Sequence, residues 1–412
     1  MNFLRRRRVS DSDEEDNDVS RGSTSKIHKS RRPPNTAFRQ QRLKAWQPLL
    51  TPKSVIPFLF LLAVIFAPLG IAMLNTIYNV QLLQIDYSKC DKLAESHYES
   101  VPSKYVHHHF KHKNTDPELK WKVTSEKDSF GDEIKTCYFQ FNIPADIKPP
   151  LYLYYQLTNF FQNHRKYVES YDLEQLKGIA VTSDDLADGC KPLKHSGDKI
   201  IYPCGLIANS YFNDTINSPT LLNTKDGNSN STYELSSNGI SWSSDRNGKY
   251  KKTSYPPKDI APPPNWYKMF PKGYSESNLP DLSKWEHLQN WMRTAGLASF
   301  YKLYGKNETE TLSSGTYEMS IELNYPVSIF GGTKSVVLTT NSIFGGRNMS
   351  LGVIYIIVAI VCLVLAISFL LLHLIKPRRI GDHNYLQNSS GIYNSRDSTR
   401  LGAGPTQLRD QL

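Results

Sequence analysis

LGVIYIIVAIVCLVLAISFLLLHLI, residues 351–375, is a run of 25 residues with no Asp, Glu, Lys or Arg. As a helix it reaches about 37 Å, more than the roughly 30 Å hydrocarbon core of a bilayer. The core helix of a soluble protein is apolar along one stripe, whereas this run is apolar on every face. Lys376, Arg378 and Arg379 follow at once, which marks that end as cytoplasmic. A second run, VIPFLFLLAVIFAPLGIAML, fills residues 55–74. Pro57 falls in its first turn, where a missing N–H is tolerated. Pro68 and Gly70 predict a kink that a neighbouring helix would have to satisfy. A polar tail of 54 residues precedes this run, so it is not a cleavable signal sequence. The chain is therefore expected to cross the membrane twice. Residues 1–54 and 376–412 lie on one side and residues 75–350 on the other.

Charge agrees with that topology. Residues 1–54 hold 13 Lys and Arg against 6 Asp and Glu, and residues 376–412 hold 6 against 3. Residues 55–375 balance at 30 basic and 30 acidic groups, so the net +10 sits entirely on the two tails. That is the positive-inside pattern. It turns the basic pI away from nucleic acid and towards anionic cytoplasmic lipid.

Four of the five cysteines, Cys90, Cys137, Cys190 and Cys204, lie in the middle region, and Cys362 lies in the second apolar run. Four cysteines on a translocated domain suggest two disulfides in an oxidising compartment, with three connectivities open. Cys190 and Cys204 flank a turn-rich stretch and are expected to pair, leaving Cys90 for Cys137. No C-x-x-C pair supports zinc. Asn213, Asn230 and Asn307 each open an N-x-Ser/Thr sequon in the same region and are expected glycan acceptors. Asn348 lies too near the bilayer, and Asn388 falls on the wrong side.

Along the chain, residues 1–36 read as a disordered tail; Ser10 and Ser12 stand in contexts that resemble kinase sites, and a plain solvated tail explains them equally well. In residues 37–54 Phe38, Leu43, Trp46, Leu49 and Leu50 interleave with Arg39, Arg42 and Lys44, a juxtamembrane pattern. Alternation of apolar and polar residues predicts strands at 83–87, 137–143, 151–157 and 317–325, and SVVLTT at 335–340 is a further one. The first and last of these abut membrane helices, so they are expected side by side. Two helices are predicted. One spans Leu157 to Tyr171 with His164 on its apolar face as a core residue, and one carries Trp285, Leu288 and Met292 with Asp281 or Ser283 as cap. The fold class is a membrane protein whose two transmembrane helices flank a mainly β extracytoplasmic domain, an antiparallel, jelly-roll-like sandwich with short helices.

No catalytic signature is present. The phosphate-loop, dinucleotide, zincin and nucleophile-elbow patterns are absent, as is the D-K-T-G-T of a P-type pump. His107, His108, His109 and His112 sit in a polar loop and read as solvated rather than as metal ligands. No cofactor is called for. Gly352, Ala359, Ala366 and Ser368 are small residues that permit close helix contact. In a lone two-helix chain they would face lipid, so a larger membrane partner is expected.

Several stretches together resemble the cell division control protein 50 family, the non-catalytic β-subunits of type IV P-type ATPases, the phospholipid flippases. They are TAFRQQRLKAWQPLLTPKSVIP (36–57), YYQLTNFFQNHRKYV (154–168), YPCGLIANSYFNDT (202–215), APPPNW (261–266), NWMRTAGLASFYKLYG (290–305) and YPVSIFGGTKSVVLTTNSIFGGRN (325–348). Ala298, Asn348-Met349 and GYSES (273–277) depart from the family pattern. The resemblance implies a heterodimer with the catalytic chain of a flippase and contact with membrane phospholipid. It implies a role in that chain's stability, its exit from the endoplasmic reticulum and lipid transport to the cytoplasmic leaflet. It implies residence in the endoplasmic reticulum, the Golgi or endosomes, and the plasma membrane. Contact with the partner falls to Gln40, Gln41, Arg42, Trp46 and Pro48 and to the two helices. The pairs Cys90–Cys137 and Cys190–Cys204, and a glycan at Asn213, match family positions. The competing reading is a pore-forming subunit of a two-helix channel. It needs polar pore-lining positions, and 351–375 offers few.

Overall fold

The computed structural model describes residues 35–43, 50–111, 117–127, 133–222, 231–342 and 345–377. Ser10, Ser12, Trp46, Pro48, His112, Asn230 and Asn388 lie outside the described residues. The helices longer than one turn are α1 (Pro52–Tyr78), α2 (Glu286–Met292) and α3 (Ser350–Ile375). The first is longer than the apolar run that predicts it, at 27 residues. Thr51 caps its start, with the Thr51 N–H donating to Ser54 Oγ at 3.2 Å, and Pro52 fills the first helical position, where no donor is needed. At the far end the helix continues through polar Asn75 and Thr76, and it runs unbroken through Pro57 and Pro68.

The two long helices pack against each other. Ala63, Gly70, Met73 and Ile77 of α1 and Gly352, Ala359, Cys362 and Ala366 of α3 are buried. Contact is close at the glycines. A Cβ on Gly70 would stand 2.8 Å from Ile356 Cγ1 and 3.1 Å from the Gly352 carbonyl oxygen. A Cβ on Gly352 would meet Leu74 Cγ at 2.8 Å. This overturns the expectation that the small residues of α3 face lipid. Three of the four are buried, and at Gly352 a matching notch is offered by Gly70. Only Ser368 stays exposed, its Oγ donating to the Val364 carbonyl. Pro68 is exposed as well, on the outer side of α1.

The main strands are β1 (Leu82–Asp86), β2 (Val106–His109), β3 (Lys120–Lys127), β4 (Glu133–Ile143), β5 (Leu151–Leu157), β6 (Phe300–Asn307), β7 (Gly315–Glu322) and β8 (Lys334–Thr340). One sheet has the order β6-β5-β8-β1-β2, all antiparallel. The second is built on β7-β4-β3, also antiparallel, and short strands extend it to seven. A small third sheet joins 195–196, 199–201 and 260–261, the last pair parallel. The strands next to the membrane helices do pair. Leu82 faces Thr339 and Asp86 faces Ser335. Alternation puts Leu151, Leu153, Tyr155 and Leu157 of β5 into the same core as Phe139, Phe141 and Ile143 of β4 and Tyr317, Met319 and Ile321 of β7. The disulfide Cys90–Cys137 joins the chain after β1 to β4, and so one sheet to the other. Cys190–Cys204 closes the loop that carries the small sheet.

The segment 157–171 departs from its helical reading. Leu157 ends β5, Asn159 adopts φ +56°, and only Arg165–Val168 form a helical turn. Phe160 is instead held by aromatic neighbours, with Tyr167, Trp291, Phe300 and Phe330 at ring-centroid distances of 5.1–6.3 Å. His164 is exposed, not a core residue. The second helix forms as α2, but Trp285 stands at its N-cap. Asp281 accepts from the Ser283 N–H and hydroxyl in the preceding turn instead.

The sheets meet at a buried carboxylate. Asp214 Oδ2 accepts from Lys334 Nζ at 2.7 Å and from the Tyr87 hydroxyl at 3.0 Å. Asp214 Oδ1 accepts from the Asn324 and Tyr325 backbone N–H groups, both at 2.6 Å. Lys334 Nζ also donates to the Tyr325 carbonyl at 2.8 Å. The Lys334 and Asp214 side chains are 5% and 0% exposed. Burial and the Asp214 charge push the Tyr87 hydroxyl well above its ordinary pKa, so it stays a donor. Lys334 opens β8, Tyr87 follows β1, and Asn324–Tyr325 follow β7, so this cluster locks the two sheets in register.

Breaking one member leaves a buried charge unmatched, which costs about 3–5 kcal/mol. Asp214→Asn and Lys334→Met are each expected to lose that much in denaturant unfolding of the purified protein. Asp214→Asn keeps the Asn213-x-Thr215 sequon, so its loss isolates the carboxylate. Both variants unfolding within about 1 kcal/mol of the parent, an ordinary surface pair's worth, would show that the cluster is dispensable.

Candidate partner-binding surface

Three regions present side chains outward. The first is the outer flank of the helix pair. Once the glycine–alanine face of α3 is closed against α1, both helices still expose large apolar residues, among them Phe58, Leu61 and Ile65 of α1 and Ile354, Ile357 and Val361 of α3. In lipid such a flank needs only apolar neighbours, so it can take either acyl chains or another helix.

The second region is the turn before α1. The Gln40 N–H donates to the Thr36 carbonyl at 2.9 Å and the Arg42 N–H to the Ala37 carbonyl at 2.7 Å. Gln41 adopts φ +54°. Gln40, Gln41 and Arg42 are all exposed, as are Phe38 and Leu43. The turn therefore brings three of the five expected partner residues together; the other two lie outside the described residues.

The third region is one that sequence reasoning missed. β5 and β8 run away from the membrane helices for about 20 Å, and three loops meet at their far end. The Phe160 N–H donates to the Ala298 carbonyl at 3.0 Å, the Ala295 N–H to Gln162 Oε1 at 2.8 Å, and Asn163 Nδ2 to the Gly296 carbonyl at 3.0 Å. Asn159 Nδ2 donates to the Phe330 carbonyl at 2.5 Å. A Cβ on Gly332 would meet the Thr158 carbonyl oxygen at 2.2 Å, so only glycine permits this approach. These tied loops hold Phe161, Leu297 and Ile329 out at 58%, 73% and 81% exposure. All three loops lie inside stretches that carry the family resemblance. That signal could have found them, but exposure could not be read from the residues.

The glycan candidates differ sharply. Asn213 is half-buried beside Tyr211 and Tyr267 in a groove, and its Oδ1 has no hydrogen-bond partner. Asn307 is 9% exposed and its Nδ2 donates to the Glu234 carbonyl at 2.9 Å. Its Oδ1 accepts from the Thr309 and Glu310 N–H groups.

Buried charge in the ectodomain is committed to structure. Asp245 accepts from Arg293 through both oxygens, at 3.1 and 3.2 Å. Burial alone would raise Glu286, yet the Gly239 and Ser241 N–H groups hold it below the ordinary carboxylate range. Burial depresses His287 to about 4 and outweighs its neighbour Glu286. His107, His108 and His109 lie on β2, and among the described residues no three His, Cys, Asp or Glu side chains are grouped to hold a metal.

Comparison with known proteins places these features in a lineage. The profile of the LEM3 (ligand-effect modulator 3) family / CDC50 family matches residues 73–379. A phospholipid-transporting ATPase accessory subunit, CRF1 of Saccharomyces cerevisiae, is 50% identical over 365 residues, covering 88% of this chain and 91% of that protein. The accessory subunit LEM3 of the same yeast is 41% identical over 386 residues, covering 91% and 92%. Cell cycle control protein 50A of Mus musculus is 34% identical over 363 residues, covering 84% and 90%. With a profile match over most of its length and relatives of 34–50% identity covering 84–91% of it, the chain belongs to the LEM3/CDC50 family.

Proposed function

We propose that this protein is the non-catalytic accessory subunit of a phospholipid-transporting P-type ATPase. In this role it stabilises the catalytic chain, licenses its exit from the endoplasmic reticulum and supports lipid movement to the cytoplasmic leaflet. The observation that carries the reading is the near full-length likeness to proteins named as such accessory subunits. The geometry is compatible with it. The two helices close on each other at Gly70 and Gly352, and the residues they leave outward are apolar, such as Ile354, Ile357 and Val361, which disfavours an oligomeric pore lined by them. What remains is a large apolar flank in the membrane, an exposed turn at Gln40–Arg42 and an apolar platform about 20 Å up the sheet. A multi-span partner could engage all three.

In mild detergent the tagged chain should bring down a large ATPase chain. Its deletion should leave that ATPase in the endoplasmic reticulum and lower uptake of labelled phospholipid from the outer leaflet. Recovery of the protein alone, with unchanged lipid uptake on deletion, would refute the proposal.

For modification, we infer that Asn213 carries the glycan and that Asn307 serves the fold. Asn213→Gln should remove a glycosidase-sensitive mobility shift. Asn307→Gln should leave mobility unchanged and cost about 1 kcal/mol through the lost hydrogen bonds. The opposite mobility pattern would assign the roles the other way.

A further inference from the structure

The helix pair is tight at one end and open at the other. On α1 the buried positions are Ala63, Gly70, Met73 and Ile77, and none lies before Ala63. On α3 they are Gly352, Ala359, Cys362 and Ala366, and none lies beyond Ala366. Past this ladder the facing residues are bulky, and the helices part around a cleft of about 400 Å³. Val55, Ile56, Phe369 and Leu372 wall it, and His373 and Lys376 stand at its mouth. At the start of α1 the lining runs from Leu50 to Ile56, about 9 Å along the axis, which is more than half of the roughly 15 Å of one leaflet's hydrocarbon.

Charge at the mouth has one sign. Residues 50–57 and 369–380 contain no Asp or Glu, while Lys53 and Lys376 are present and Arg378 and Arg379 follow in the sequence. The first turn of α1 carries no acidic residue either, so its positive helix end is not offset. An apolar wedge under a cationic mouth complements an amphiphile whose polar end is anionic. A void here would forfeit dispersion contacts that a flexible acyl chain restores.

We propose that this cleft is a binding site for one anionic glycerophospholipid of the leaflet on the side of the chain termini. An acyl chain lies between Val55, Ile56, Phe369 and Leu372, and the phosphate end lies at Lys376. The site is distinct from any transport path, because it lies between the chain's own two helices. It holds α1 and α3 together at their splayed end. The site depends on both helices spanning the bilayer, not on the identity of the ATPase.

The test uses the full chain with its co-purified partner in phosphatidylcholine nanodiscs. The probes are diazirine-acyl phosphatidylserine and diazirine-acyl phosphatidylcholine, added in separate samples. Label is mapped on this chain, and presence of the ATPase band is scored separately. Phosphatidylserine label should concentrate on peptides covering 55–56 and 369–372. Lys376→Glu should cut it at least about fivefold, since loss of one basic residue near an anionic surface alone is worth that much, and leave the phosphatidylcholine label unchanged. Leu372→Trp, which fills the cleft, should reduce both labels. Equal labelling by the two probes, indifference to Lys376→Glu, or crosslinks confined to a partner helix would each overturn the site.

Discussion

The Asp214 carboxylate is the constraint on which the ectodomain depends. A buried anion is tolerated only when its charge and lone pairs are matched. Here the match comes from four donors on three separate segments: Lys334, Tyr87, and the Asn324 and Tyr325 backbone. Two of these segments are the ends of β8 and β1, the strands that lead to and from the membrane helices. The third follows β7 of the opposite sheet. The cluster therefore fixes how the sheets sit on one another and, through β1 and β8, how the pair of membrane helices sits beneath them. The Cys90–Cys137 bond repeats the inter-sheet tie a few residues away.

Much of this fold is legible in the sequence because it rests on local periodicity. Apolar runs of bilayer length became α1 and α3. Strict alternation at 151–157 became β5, that at 317–325 became β7 only as far as Glu322, and adjacency to the helices was enough to pair β1 with β8. Periodicity failed at 157–171, where helical spacing of apolar residues reflected an aromatic cluster. A left-handed Asn159 breaks the chain there after β5. It also could not show what the small residues of α3 face, since Gly70 lies far upstream in the sequence. The Asp214–Lys334 pair was invisible for the same reason: 120 residues separate its members. Asp214 sits inside a sequon, and Lys334 reads as the polar edge of an apolar strand.

The candidate surface follows the same division. Gln40, Gln41 and Arg42 were named from the resemblance, and the structure gathers them into one exposed turn. The platform of Phe161, Leu297 and Ile329 arises only when three distant loops are tied by hydrogen bonds, most of them through Asn159, Gln162 and Asn163 side chains, so no single stretch announces it. Rigid loops with protruding apolar tips fit a docking role better than a catalytic one, since the buried ionisable groups nearby are already satisfied.

Function in this account rests on a helix pair that closes on itself at Gly70 and Gly352 and offers its outer flank to a partner. A cryo-EM structure of the protein bound to its catalytic chain tests that most directly. The account predicts Gly70 still packed on Gly352, Ala359 and Ala366 still covered by α1, and the partner's helices on the outer apolar flank. A partner helix inserted between α1 and α3, with the small residues of α3 turned towards it, would contradict the account.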